Sequence, residues 1–349
     1  MKILYGIQGT GNGHLTRARV MAKALTNKKV MVDYFISGRD RAQLFDMQPF
    51  GDFKVAKGLT FATNKGAVDY LQTAFNNDYL ALYHDIKNMD LSQYDLVLND
   101  FEPISAWAAK RQQVPCIGIS HQSAFVHPVP KAKANFISDQ LMQHFAPSDI
   151  SLGCHWHHFD CQILPPFVDI EALQPQQKGQ VLVYLPFEDG ELINNTLALI
   201  PHIQFHVFHS QQPQQTLADN VHWHGFSRTK FKGYLASCEG IIANAGFELS
   251  SEALTLGKKL LLKPLHGQFE QASNVAALTL LGAADSMDEL CIDNINRWLL
   301  QPAKEAISYP QVADQLVDWI LAGDWQDTKS LCDSLWQQVQ MPKSWQQAI

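Results

Sequence analysis

The chain has 349 residues, 46% of them hydrophobic and 17% charged, with a formal net charge of -7. A chain this long and apolar buries more than one core usually organises, so two domains are expected and intrinsic disorder is not. The acidic balance argues against bulk binding to nucleic acid and directs attention to small-molecule partners.

From the N-terminus, Met1 runs straight into an apolar strand without a charged leader. No apolar window reaches a membrane-spanning length, so a cytoplasmic protein is expected. Apolar β-rich runs then alternate with amphipathic segments, the pattern of a parallel sheet covered by helices on both faces. Strands are expected at 3–7, 30–36, 96–99 and 116–119, with helices after Gly13 and after Pro103. A Pro- and Gln-rich break predicts a linker at 166–178. The rhythm restarts with strands at 180–186, 203–209, 240–244 and 259–264. The expected architecture is α/β: two doubly wound Rossmann-like domains, 1–165 and 179–307, facing across a cleft at their strand carboxyl ends. Residues 308–349 read as C-terminal helices, with a return to the first domain as one placement. Six cysteines at 116, 154, 161, 238, 291 and 332 form no paired framework and are read as reduced thiols.

The first strand ends in Gly9, Thr10, Gly11, Asn12, Gly13 and His14. Such a turn lets backbone N–H groups approach an anion, assisted by the positive end of the following helix. It is not a dinucleotide fingerprint, because His14 stands where G-x-G-x-x-G needs its third glycine, nor a P-loop, because the Gly-Lys-Ser/Thr ending is missing. A ring at the mouth of a cleft suits general-base work; the competing reading is a histidine that serves only helix-start geometry.

Two intermediate segments carry further candidates. His121 and His127 follow another strand end and read as acceptor-side residues. Residues 128–145 place Lys131 and Lys133 beside apolar side chains, which suits a peripheral contact with the anionic inner face of a membrane, although an ordinary solvated helix is the commoner case. Between 154 and 161, Cys154, His155, His157, His158, Asp160 and Cys161 invite a metal reading. Without two separated ligand pairs, a histidine-rich strand lining the cleft is favoured and no metal site is expected.

Residues 241–284 read as strand, tight turn, helix, glycine stop, strand, loop and helix. Ala245, Gly246 and Phe247 would open a helix whose first N–H groups form a diphosphate site without a metal. Glu252, later in that helix, can accept hydrogen bonds from both hydroxyls of a ribose. Glu270 and Gln271 offer an acceptor and an amide to sugar hydroxyls, with Asn274 one turn on.

This segment resembles the donor-binding signature of GT-B glycosyltransferases, both plant natural-product enzymes and the bacterial peptidoglycan N-acetylglucosaminyltransferase. The matching positions are Asn244, Gly246, Glu252, Gly257, Pro264, Glu270, Gln271 and Asn274. Gly9 to His14 is similar to the Gly-Thr-Gly-Gly-His turn of the peptidoglycan enzyme, and the loop also resembles a "GxGxGHxxRA" loop of prokaryotic glycosyltransferase-like proteins. The resemblance implies that His14 deprotonates an acceptor hydroxyl while Asp100 orients its ring; Asp100 as a simple helix cap is the alternative, and Glu102 is the reserve base or acceptor contact. It also implies that Phe226 packs on the nucleobase, and Arg228 and Lys230 could reach phosphate. Two departures stand out. Asn244 replaces a frequent histidine at the diphosphate, and "LPFEDGE" brings Glu188, Asp189 and Glu191 where small residues are usual, with solvation their default.

The expected function is inverting transfer of a sugar from a nucleotide donor, expected to be uridine-linked, to an unknown acceptor, lipid-linked or glycan, with no cofactor required. A sugar-nucleotide 2-epimerase of the same architecture and a non-catalytic nucleotide-sugar sensor are the alternatives.

Overall fold

The computed structural model describes residues 1–60, 77–133, 144–170, 176–214 and 217–345, and the backbone of a short hairpin, β4 (Thr63–Asn64) and β5 (Ala67–Val68). Parts of the expected linker (171–175) and of the lysine-bearing segment (134–143) lie outside the described residues.

Two parallel six-stranded sheets organise the chain. The first contains β1 (Lys2–Gln8), β2 (Met31–Ser37), β3 (Phe53–Ala56), β6 (Leu96–Asp100), β7 (Cys116–Ser120) and β8 (Ile150–Gly153), in the order β3-β2-β1-β6-β7-β8. The second contains β9 (Gln177–Tyr184), β10 (Gln204–Phe208), β11 (Val221–His224), β12 (Cys238–Ala243), β13 (Lys259–Leu262) and β14 (Asp285–Ser286), in the order β11-β10-β9-β12-β13-β14. Both orders reverse beside the first strand of their sheet, which opens a crevice at the strand carboxyl ends. Helices α1 (Asn12–Asn27), α2 (Tyr79–Asn88) and α3 (Pro103–Gln112) serve the first sheet. Helices α4 (Gly190–Ala198), α5 (Arg228–Ser237), α6 (Phe247–Thr255), α7 (Phe269–Leu280) and α8 (Ile292–Leu299) serve the second.

Side-chain alternation divides each central strand between two cores. Ile3, Tyr5 and Ile7 join one buried cluster with Leu96, Leu98, Ile117 and Ile119, while Leu4 joins Val97, Ile104 and Cys116 on the opposite face. In the second sheet Leu182 and Ile241 face one side, Val183 and Ile242 the other. Burying each such side chain contributes about 2 kcal/mol. The central strands were legible because both faces are apolar; β3, β8, β11 and β14 lie at or near sheet edges, where half-exposed residues interrupt the run. The apolar cluster is continuous from the first sheet through Trp156 and Phe247 to the second. After the second sheet, α9 (Val312–Ala322) packs on α1, and α10 (Thr328–Trp336) sends Trp336 Nε1 to the Ile163 carbonyl at 2.6 Å. All six cysteines are free thiols.

The start of α3 corrects one expectation. Glu102 is fully buried and caps that helix, accepting from Ile104 N at 2.9 Å and Ser105 N at 2.7 Å. Ser37 and Ser105 hydroxyls bind the same carboxylate, at 2.6 and 2.5 Å. With both oxygens taken by the fold, Glu102 is neither a reserve base nor an acceptor contact. Glu102→Ala should destabilise the protein by about 3 kcal/mol, from the lost cap and the donors left unsatisfied. Urea unfolding would measure it; a change under about 1 kcal/mol would show that the cap is dispensable.

Candidate active site

The glycine loop is held against β2, where Gly9 N donates to Ser37 O at 2.6 Å and a Cβ on Gly9 would approach Ile36 and Ser37 at 3.0 Å. Here glycine is needed for close backbone approach. Helix α1 follows with Gly11 at its N-cap and no side-chain cap, leaving early N–H groups available to an anion. Because β1 and β6 pair in parallel with Ile7 beside Asp100, the loop and the end of β6 share one edge of the sheet.

His14 and Asp100 meet there, Nδ1 to Oδ1 at 2.7 Å. With Asp100 accepting from Nδ1–H, the lone pair of the ring lies on Nε2, the tautomer a base requires. The imidazole is 13% exposed, whereas Asp100 is fully buried. Phe101, at φ 53°, lays its ring parallel to the imidazole with centroids 6.4 Å apart. A left-handed phenylalanine is strained, and the strain sits beside this pair.

Arg17, one turn beyond His14, is 1% exposed. Its Nε donates to Asp100 Oδ2 at 2.8 Å, Nη2 to Asp100 Oδ1 at 2.6 Å, and Nη1 to Glu248 Oε1 in the other domain. Burial alone would raise the Asp100 carboxyl, but Arg17 and then His14 hold it below the usual carboxylate range. Burial, partly offset by Arg17, pushes Glu248 up to about 7.

The second domain presents α6 to this cluster. Its N-cap is Gly246, again without a side-chain cap, and a Cβ there would meet no atom within 4 Å. The open space before an uncapped helix start suits a diphosphate. The Phe247 side chain is buried, stacked on His121 with centroids 3.9 Å apart, so only its backbone is available at this place. Farther along, Glu252 is 4% exposed and accepts from Lys232 Nζ at 2.5 Å. Phe226, beyond β11, is 43% exposed and edge-on to Tyr184 at 6.3 Å. Asn12 Nδ2 crosses from the glycine loop to Tyr184 Oη at 3.1 Å, and Arg39 holds Asn12 and the Thr10 carbonyl.

Several expected site residues are also bonded within the protein, some of them across the domains. His121 is buried, with Nδ1 on Cys154 O at 2.8 Å and Nε2 on Asn274 Oδ1 at 2.6 Å, so it is not an open acceptor residue. Asn274 is fully buried and donates to Ala245 O at 2.9 Å. Glu270 accepts from Gln122 Nε2 at 2.8 Å, and Gln271 Oε1 accepts from Leu265 N at 2.8 Å, which turns its amide group outward from that contact. Arg228 is paired with Asp169. Lys131 donates to the Phe125 and His127 carbonyls at 2.6 and 3.2 Å.

The 154–161 segment is not a strand. Strand β8 ends at Gly153, and Phe159 and Asp160 are left-handed. His155, His157 and His158 each use Nδ1 to accept a backbone N–H, from Trp156, Phe159 and Asp160. Among the described residues no group of three or more His, Cys, Asp or Glu side chains is placed to hold a metal ion. Nor are the acids after β9 all solvated: Glu188 is buried and pairs with Lys263 at 2.9 Å, while Asp189 caps α4 at the surface. Asn244 donates to Lys263 O at 2.8 Å beside that pair. No helix among the described residues is long and apolar enough to cross a membrane.

The profile of Glycosyl transferase family 1 matches residues 1–301. The chain belongs to this family. Its structure is similar to the glycosyltransferase SnogD from Streptomyces nogalater, at 15% identity and a TM-score of 0.55, covering 100% of this chain and 97% of that one. It is similar to MurG of Acinetobacter baumannii, at 15% identity and a TM-score of 0.50, and to LpCGTa in complex with UDP, at 13% identity and a TM-score of 0.60; each alignment covers 99% of this chain and 97% of the other. These likenesses establish the GT-B fold. A sequence comparison with curated proteins finds no match.

For this family 1 chain, sequence reasoning passed over Arg17, Glu248, Lys232 and Lys263. Arg17 lay in view at helical spacing from His14; Glu248 carries a signal only once the domains are packed, and Lys232 and Lys263 only once the second domain is folded. Arg17→Met should cost about 3–5 kcal/mol at pH 7, because it leaves Asp100 buried without its main partner. Asp100 is depressed in the fold, so its stabilisation is present above its unfolded pKa and lost as pH falls through the folded value. The difference from wild type should therefore narrow below about pH 4. Urea unfolding at pH 7 and pH 3.5 would check this, and a deficit unchanged between the two would contradict it.

Proposed function

We propose that the protein is an inverting glycosyltransferase that moves a sugar from a uridine diphosphate donor to an acceptor hydroxyl. The observation that carries the reading is the His14–Asp100 pair, 2.7 Å apart, set against the uncapped start of α6. Asp100 fixes the tautomer and stabilises the imidazolium, so His14 Nε2 takes the acceptor proton as the hydroxyl oxygen attacks the anomeric carbon. The carbon–oxygen bond to the diphosphate breaks on the opposite face, which inverts the centre. Helix-end N–H groups around Ala245, Gly246 and Phe247 stabilise the departing charge, an electrostatic contribution that needs no reorganisation during the reaction.

The placement of four further side chains supports the remaining donor contacts. Phe226 offers an exposed ring to the uracil, and Glu252, held by Lys232, accepts from the ribose hydroxyls. Gln271 presents its amide group and Glu270 its carboxylate to the sugar. The structurally similar LpCGTa is a complex with UDP, which supports the choice of nucleotide. The acceptor is a hydroxyl-bearing molecule bound by the first domain.

Titration with UDP, GDP, TDP, CMP and their common sugar conjugates, with and without magnesium, should show selective binding of a uridine diphosphate ligand. Glu252→Ala should weaken it at least about tenfold, by loss of charge-assisted hydrogen bonds. His14→Ala should bind the donor normally yet turn over about 100 to 10,000 times more slowly, the usual share of a general base. Normal turnover in His14→Ala would sink the catalytic assignment, and binding unaffected by Glu252→Ala would remove the donor site.

A further inference from the structure

We propose that Arg17 and Glu248 are positioning residues that set the basicity of His14, and that Glu248 does so only when the two domains are together. The inference rests on His14 being the base. Its own support is a four-group chain, buried apart from the imidazole at its end: His14 to Asp100, Asp100 to Arg17 through two bonds, and Arg17 to Glu248 across the domain boundary.

An aspartate behind a histidine raises its proton affinity because the anion stabilises the imidazolium. Here the same aspartate is forked by a guanidinium whose Nη2 lies 3.2 Å from His14 Nδ1, close enough to oppose protonation of the ring. Within the first domain the anion and cation cancel, so protonating His14 would leave a net positive cluster in a place almost without water. Glu248 changes the balance. Above about pH 7, the value to which burial pushes Glu248, both carboxylates are ionised beside the Arg17 cation, and the cluster is negative before His14 takes a proton and neutral after it. Low local dielectric makes that difference larger than it would be at the surface.

The neighbours add no competing charge at close range. Tyr5 on β1 is fully buried, with its hydroxyl pushed far up by burial, and so remains neutral. Cys154 Sγ lies 4.0 Å from Arg17 Nη1 and stays a thiol for the same reason. Glu270 on α7 is a further acid that acts on Glu248, more weakly than Arg17, Asp100 and His14, and it is bonded to Gln122. Glu248 Oε2 faces Gly13 of the glycine loop, where a Cβ would stand 3.4 Å from it. Closure of the cleft thus brings the missing anion to the base at the moment the donor domain arrives. A base armed only on closure would be weakest when the cleft is open to water.

The test needs neither donor nor acceptor, so its failure is distinct from failure of donor binding. The His14 ring would be titrated by NMR in the full-length protein, its signal identified by its loss in His14→Gln. Glu248→Gln, which keeps shape and removes charge, should lower the His14 pKa by about half a unit or more. Glu248→Asp, which keeps the charge on a shorter arm, should fall between Glu248→Gln and wild type. An unchanged His14 titration in Glu248→Gln would overturn the proposal, as would equal shifts in the two variants, which would point to packing alone.

Discussion

A guanidinium that is 1% exposed must have its charge answered wherever it is placed. Arg17 is answered on both sides: Asp100 ends the central strand of its own domain, and Glu248 opens a helix of the other. That requirement ties the register of α1 against β6 to the docking of α6 on α1. His14 inherits its position from the same arrangement, since it shares Asp100 with Arg17 and stands one helical turn away. The neutral interface around it, from His121 stacked on Phe247 to Trp156 bonded to Ser251 at 2.9 Å, keeps water from the ion pairs and so maintains their strength.

The donor half shows a related economy of charge. Asn244 cannot become cationic, yet Lys263 lies beside it and is neutralised by Glu188. Lys232 likewise serves Glu252 and Asp169 together. Lys232 and Lys263 are thus engaged before any ligand arrives, so an anionic donor would be received by oriented backbone N–H groups beside balanced ion pairs. Such a site can orient a diphosphate without a large field that would also attract unrelated anions.

How much of this was legible depends on the range of each interaction. The two parallel sheets follow from apolar runs and Gly or Pro punctuation, which are local. The His14 and Asp100 pairing was accessible only through resemblance, but parallel pairing of β1 with β6 explains it physically. Glu248 could not be singled out, because its partner lies 231 residues away and a glutamate in a first helical turn is ordinary. Glu102 was misread for a similar reason: a carboxylate preceding Pro103 is a helix cap as readily as a base, and burial decides between them. The histidines at 155 and 157 alternated like a strand, yet their ring nitrogens and that of His158 accept from nearby backbone N–H groups and turn the chain instead.

The central claim is that one ligand-binding crevice joins the glycine loop of the first domain to the start of α6 in the second. Hydrogen–deuterium exchange of the wild-type protein with and without saturating UDP-sugar tests it most directly. The account predicts slowed exchange in peptides spanning 224–232 and 244–254, together with slowed exchange across 8–18 as the domains clamp. Protection confined to other surfaces, or none at saturation, would contradict it.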